Sequence, residues 1–274
     1  MSENENLLLR LRQGVDGYSR TQQKLGEFVL SDPAKVVYLT ITELARESDT
    51  SEASVPRLCR ALGCKGYNEF KMALALDLQQ GQPVEHSGDE IDNVVNESVQ
   101  ALQDTAKLLD RTLLESAALA LHQAQSVQIY GVAASAILGE YLHYKLLRLG
   151  KPAQLFSDMH RAAMNATTLN KDTLVVAISS SGSTRDLLHV VKLARKQGVR
   201  VLALSNTPRS PLASLSDIQL VAAKPEGPLS AGALNAKVGV MLLVELLTTS
   251  LIALDEKYSD VSQQTASATL PLLL

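Results

Sequence analysis

The sequence predicts an all-α helical bundle followed by an α/β domain whose five-stranded parallel sheet is flanked by helices. Three observations carry this. Up to about Gln80 the apolar residues recur with helical spacing, broken by short turns; QQGQPVEHSGDE then gathers Gly, Pro, Ser and acids; from Ser126 onward short apolar runs alternate with helical stretches. The expected organisation is residues 1–80 as the helical domain, 81–108 as a linker and connecting helix, and 109–274 as the α/β domain.

In the helical domain, Ser19 with Gln22 makes a capping box, Leu25, Phe28 and Val29 give the helix an apolar face, and Asp32-Pro33 ends it. Thr40 with Glu43 caps a short helix that buries Leu44 and Ala45. Ser51 reads as the N-cap of the next, in which Val55, Leu58, Cys59 and Leu62 recur at i, i+3, i+4 and i+7. That stripe leaves Ser54, Arg57 and Arg60 facing outward. Tyr67, Phe70 and Leu74 line a further helix. Two helices about a tight turn suit a major groove: guanidinium groups three residues apart can pair with guanine edges or phosphates, Ser51 and Ser54 with either, and Lys65 with a backbone phosphate. A plain solvated helix meets the same description, and spacing does not separate the two.

In the second domain the strands are expected at Val127 to Tyr130, Ala153 to Phe156, Thr173 to Ser179, Val199 to Ser205 and Ile218 to Val221, with Gly131, Gly150, Gly182 and Gly198 at element ends. The loop Ser179-Ser-Ser-Gly-Ser-Thr184 falls between a strand and a helix, where backbone N–H groups, hydroxyls and the helix dipole converge on an anion. Phosphate is the natural guest, a flexible serine turn the plain alternative. Neither Gly-Lys-Ser/Thr nor G-x-G-x-x-G is present, which disfavours nucleotides. The run LNAKVGVMLLVELL is apolar nearly all round, so the helix is expected to be buried within the domain or at a subunit interface, and a homodimer or higher homo-oligomer is expected.

The formal net charge of −3 is an objection to DNA binding, but Arg57, Arg60, Lys65 and Lys71 face only Glu69 within residues 57–71. Cys59 and Cys64 have no Cys or His companions that would suggest a disulfide framework or zinc site. The acidic N-terminus does not resemble a signal peptide and no run of about 18 apolar residues occurs, so a cytoplasmic protein with no membrane segment and no cofactor is expected.

The run from Leu39 to Leu78, LTITELARESDTSEASVPRLCRALGCKGYNEFKMALALDL, resembles the DNA-binding domain of RpiR-type bacterial sugar-phosphate regulators. The resemblance implies a helix-turn-helix with residues 51–62 as recognition helix, and operator DNA as partner. Pro56 departs from a regular helix: about five residues in, it is expected to delete the hydrogen bond to the Glu52 carbonyl. From about Leu109 to Leu254 the chain resembles the sugar isomerase (SIS) domain that these regulators carry as sensor. By that resemblance Ser179, Ser181 and Thr184 clamp the phosphate of a phosphosugar effector, Gly182 shapes the loop, and Ser135, His160 and Lys237 line the sugar. Ala133 stands where the family usually has a second glycine, which narrows the backbone's approach to the ligand. The combination of SSSGST, Asp158-x-His160 and Lys237 is most similar to members that sense amino-sugar phosphates, N-acetylmannosamine 6-phosphate in particular, to control a catabolic operon, and action as a repressor is the expectation this resemblance implies.

Two other classes compete. SIS domains also occur in sugar-phosphate isomerases and lyases, where Glu140 and His160 are the residues that could serve as base, though neither sits in a distinctive constellation. An adaptor that binds sugar phosphate but no DNA would leave Arg57 and Arg60 idle.

Overall fold

The structure, a computed structural model, describes residues 7–14, 17–80, 89–224, 227–229 and 232–272. Residues 81–88, the start of the expected linker and connecting helix, lie outside them. The chain divides into two compact units, Met1–Asn93 with Glu226–Ala231, and Val94–Pro225 with Gly232–Leu274.

The first unit holds α1 (Leu7–Gly14), α2 (Arg20–Ser31), α3 (Pro33–Val36), α4 (Ile41–Glu47), α5 (Ser54–Ala61) and α6 (Tyr67–Gln80). Both expected capping boxes form, Ser19 with Gln22 on α2 and Thr40 with Glu43 on α4. Leu25, Leu44, Val55, Leu58, Phe70 and Leu74 meet in its core.

The start of α5 corrects the sequence reading. Ser51 is not its N-cap: the helix begins at Ser54, after a turn closed by Ser54 N to Ser51 O at 2.9 Å and Val55 N to Glu52 O at 3.3 Å. Ser54 is only 6% exposed, its hydroxyl 2.8 Å from that of Ser51, because the turn folds back over the first helical residue. Pro56 is therefore the third residue of α5, in the turn whose N–H groups have no intrahelical acceptor, and it deletes no bond. The Glu52 carbonyl accepts from Val55 instead.

The second unit takes in α7 (Glu90–Leu108) from Val94 onward and α8 (Arg111–Gln123). It continues β1 (Ser126–Gly131), α9 (Ala134–Arg148), β2 (Ala153–Phe156), α10 (Met159–Ala166), β3 (Thr173–Ile178), α11 (Arg185–Arg195), β4 (Arg200–Ser205), β5 (Ile218–Val221), α12 (Leu234–Leu254) and α13 (Lys257–Thr269). The sheet is five-stranded and all parallel, as expected, with strand ends within a residue of the sequence reading, and its order is β2-β1-β3-β4-β5. Every residue of β3 is buried because both faces are covered: Leu174, Val176 and Ile178 share a core with α8, α9 and α12, while Val175 and Ala177 share one with α10 and α11. The alternation of a strand's side chains divides one apolar run between two cores.

Helix α12 is long and apolar enough by length and composition to cross a membrane. Its Val240, Leu243, Val244 and Leu247 are instead core residues of the α/β unit. The expectation of near-complete burial holds for one side only, since Met241, Ile252 and Leu254 are exposed, because the sheet and its neighbouring helices cover a single face.

Candidate functional site

Strand order reverses between β1 and β3, and ligands of open α/β sheets bind at such a switch point, beyond the carboxyl ends of the strands. Gly131 and Ile178, the last residues of these strands, are paired in register, so the turn into α9 and the loop into α11 leave the sheet side by side.

The loop Ser179–Thr184 is folded tightly at its root. Ser179 N donates to Leu204 O on β4 at 3.1 Å, and Gly182 N donates to both Ser179 O and Ser179 Oγ at 3.1 Å. Ser179 Oγ lies 3.2 Å from the hydroxyl of Thr184, the N-cap of α11, while Ser181 and Ser183 are exposed at the loop's crest. Gly182 is required: its φ is +59°, Leu212 N donates to its carbonyl at 3.0 Å, and an added Cβ would overlap Ser210 Oγ. At the crest, hydroxyls meet the first turn of α11, whose N–H groups have no acceptor within the helix.

Lys237, in the first turn of α12, donates from Nζ to Ser180 Oγ at 3.1 Å. A lysine side chain thus stands against the Ser179–Thr184 loop. Ser135 is the second residue of α9, half-exposed, in a turn closed by Ser135 N to Val132 O at 3.0 Å. Ala133 in that turn has φ +51° and ψ −125°, a conformation that favours glycine. His160 is the second residue of α10, beyond the carboxyl end of β2, its side chain exposed and its backbone N 2.8 Å from Asp158 Oδ1. Hydrogen bonds from the backbone N–H groups of Arg161 and His160 hold the Asp158 carboxyl below its usual range.

Sequence reasoning missed Asn206 and Thr207. Asn206 N donates to Ser180 O at 3.1 Å, as does Thr207 Oγ1 at 3.1 Å, and the Asn206 amide reaches Ala223 O, Lys224 O and Ala236 O. The available signal was the polar run NTPRS directly after the buried β4 strand.

On the first unit, Ser51, Arg57, Arg60 and Lys65 are exposed, with Arg57 and Arg60 on the outer side of α5, whereas Ser54 is turned inward. Burial pushes the Cys59 thiol up to about 12, and both cysteines are buried free thiols. Among the described residues no cluster of His, Cys, Asp and Glu is suited to a metal.

A helical unit presenting a basic helix beside a tight turn, followed by a parallel α/β unit with a hydroxyl-lined loop at its switch point, is the build of a ligand-responsive DNA-binding regulator. Residues 5–81 match the helix-turn-helix domain of the rpiR family and residues 120–250 the SIS domain. An HTH-type transcriptional regulator of Caldanaerobacter subterraneus subsp. tengcongensis is 30% identical over 264 residues, covering 93% of each chain. YbbH of Bacillus subtilis, also an HTH-type transcriptional regulator, is 30% identical over 85% of this chain and 86% of its own. The structure of the Vibrio vulnificus NanR protein complexed with ManNAc-6P superposes with a TM-score of 0.93 at 46% identity, covering 98% of this chain and 99% of that one. The chain belongs to the RpiR family of helix-turn-helix transcriptional regulators with a SIS domain.

Proposed function

We propose that this protein is a cytoplasmic repressor of an amino-sugar catabolic operon, whose affinity for operator DNA is set by N-acetylmannosamine 6-phosphate. The observation that carries the effector site is the Lys237 ammonium 3.1 Å from Ser180 Oγ, beside a loop of hydroxyls and a helix N-terminus. Charge-assisted bonds of this kind favour a phosphate over a neutral sugar. Ser179, Ser181, Gly182 and Thr184 form the phosphate clamp in this reading, with Ser135 and His160 toward the sugar. The ManNAc-6P bound to NanR, at 46% identity over nearly the whole chain, supports the choice of ligand.

DNA is gripped by Arg57 and Arg60, with Ser51 and Lys65 at the flanks; buried Ser54 no longer belongs to this surface. A second copy of the chain covers the exposed apolar face formed by Ile137, Tyr144 and Leu147 on α9 with Met241 on α12, giving a homodimer that reads two half-sites. A sensor is favoured over an enzyme because Glu140 and His160 are both exposed, on different helices, without the burial that poises a general base.

The test is thermal unfolding with phosphorylated and unphosphorylated amino sugars, followed by operator binding. A ligand at 100 times its dissociation constant stabilises the native state by about 2.7 kcal/mol. Stabilisation by N-acetylmannosamine 6-phosphate and not by N-acetylmannosamine is the expected result; equal effects of both would overturn the phosphate site.

A further inference from the structure

Helix α7 is the first element after residues 81–88, through which the chain runs on from the helix-turn-helix unit. Ala101 and Thr105 are its buried residues, and Ile91, Val94, Val95 and Val99 are 46–69% exposed. With so little apolar burial, its position depends on a few polar contacts.

Two of these lead to the effector loop. Thr105, 0% exposed, donates from Oγ1 to Ala101 O at 2.7 Å and accepts Ala223 N at 3.0 Å. Gly239 of α12 lies against the same hydroxyl, close enough that a Cβ would stand 2.8 Å from it. About two turns earlier, Glu97 Oε2 accepts from Asn235 Nδ2, in the first turn of α12, at 2.7 Å. Asn206, 2% exposed, gathers the far ends of both contacts: its Nδ2 donates to Ala223 O at 3.1 Å, Lys224 O at 3.2 Å and Ala236 O at 3.1 Å. Its backbone N donates to Ser180 O at 3.1 Å, and Ser180 Oγ accepts from Lys237, the residue after Ala236. Lys224 is held at φ +66°, a conformation a lysine keeps only when its surroundings impose it.

We propose that Asn206, Thr105 and Glu97 are positioning residues that transmit occupancy of the Ser179–Thr184 loop to α7, and so to the DNA-binding unit. The proposal rests on the effector reading above. A phosphate in the loop competes for the Lys237 ammonium and the Ser180 hydroxyl, which are bonded to each other in this structure. Exchanging that bond moves the first turn of α12, where Asn235 and Ala236 are tied to Glu97 and Asn206. The Asn206 ties move with that turn because breaking them strands a buried donor, while the exposed Glu97–Asn235 bond links the same turn to α7 directly.

The experiment uses the full chain, N-acetylmannosamine 6-phosphate, and a duplex selected by the parental protein from random sequence. It reads the factor by which saturating ligand changes the duplex dissociation constant, in the parental protein and in Thr105→Val, Glu97→Ala and the double variant. Glu97→Ala changes a surface residue and leaves the core intact. The expected result is a factor reduced by about fivefold or more in the double variant, with DNA-free ligand affinity within about threefold of parental. A purely structural role for Thr105 lowers the melting temperature and leaves the factor unchanged, and that outcome overturns the relay. If the ligand leaves the parental protein's duplex affinity unchanged, the effector reading falls and the relay with it.

Discussion

Lys237 Nζ donates to Ser180 Oγ at 3.1 Å, although 57 residues separate the two in the chain. In the proposed reading this contact makes Lys237 the cation of the effector site. Lys237→Met is expected to weaken N-acetylmannosamine 6-phosphate binding by about 10- to 100-fold, the worth of a hydrogen bond to a charged group. Titration calorimetry measures this. Parental affinity in the variant would move the phosphate away from this loop.

Ala133 holds φ +51° and ψ −125° in the turn before α9. A non-glycine residue in such a region costs about 1–3 kcal/mol, and glycine's extra freedom in the unfolded chain returns about 0.4–1 kcal/mol of that. Ala133→Gly should therefore stabilise the protein by about 1 kcal/mol in chemical denaturation, by the difference of those two effects. A loss of stability would refute the assignment of strain to this turn.

Arg57 and Arg60 are exposed on α5 while Ser54 is spent on Ser51. Replacing both arginines with alanine is expected to lower operator affinity and to reduce the slope of log affinity against log salt by about 1 for each phosphate they neutralise. Ser54→Ala should leave both unchanged. Fluorescence anisotropy across a salt series distinguishes the cases.

Lys71 donates to Leu39 O at 3.1 Å beside Tyr67, and burial pushes its ammonium down to about 8, against a partial upward pull from Glu43. Between that value and the ordinary lysine value of 10.5 the unfolded chain binds more protons than the folded one, so stability rises with pH across this window. Below about 8 both states are protonated and the contribution is constant. Denaturant titrations at pH 7.5 to 10 (roughly spanning the window) should show a steeper rise for the parental protein than for Lys71→Met; parallel curves would mean that the ammonium stays solvated.

The position and parallel type of the strands were legible because a parallel sheet covered on both faces leaves uninterrupted apolar runs, as in Thr173–Ile178. The capping boxes at Ser19 and Thr40 were legible because their partners lie three residues away. Ser51 misled for a related reason. It has the side chain of an N-cap, but whether a helix starts at once or after another turn is decided by what packs over its first residues. The substitution at Ala133 was visible in sequence, read there as a narrower approach to the ligand; its backbone strain appears only in the dihedral angles.

By itself the sequence determined what each segment is, the two-part order of the chain, and the hydroxyl-rich loop that invites an anion, since all of these follow from neighbours along the chain. Only the tertiary structure decided that Lys237 faces Ser180, that Asn206 ties β4 to α12, and that Thr105 takes up Ala223 N across 118 residues. Such pairings depend on strand order and helix packing. Periodicity, which tells how one segment buries its own face, carries no record of which distant polar group meets it there.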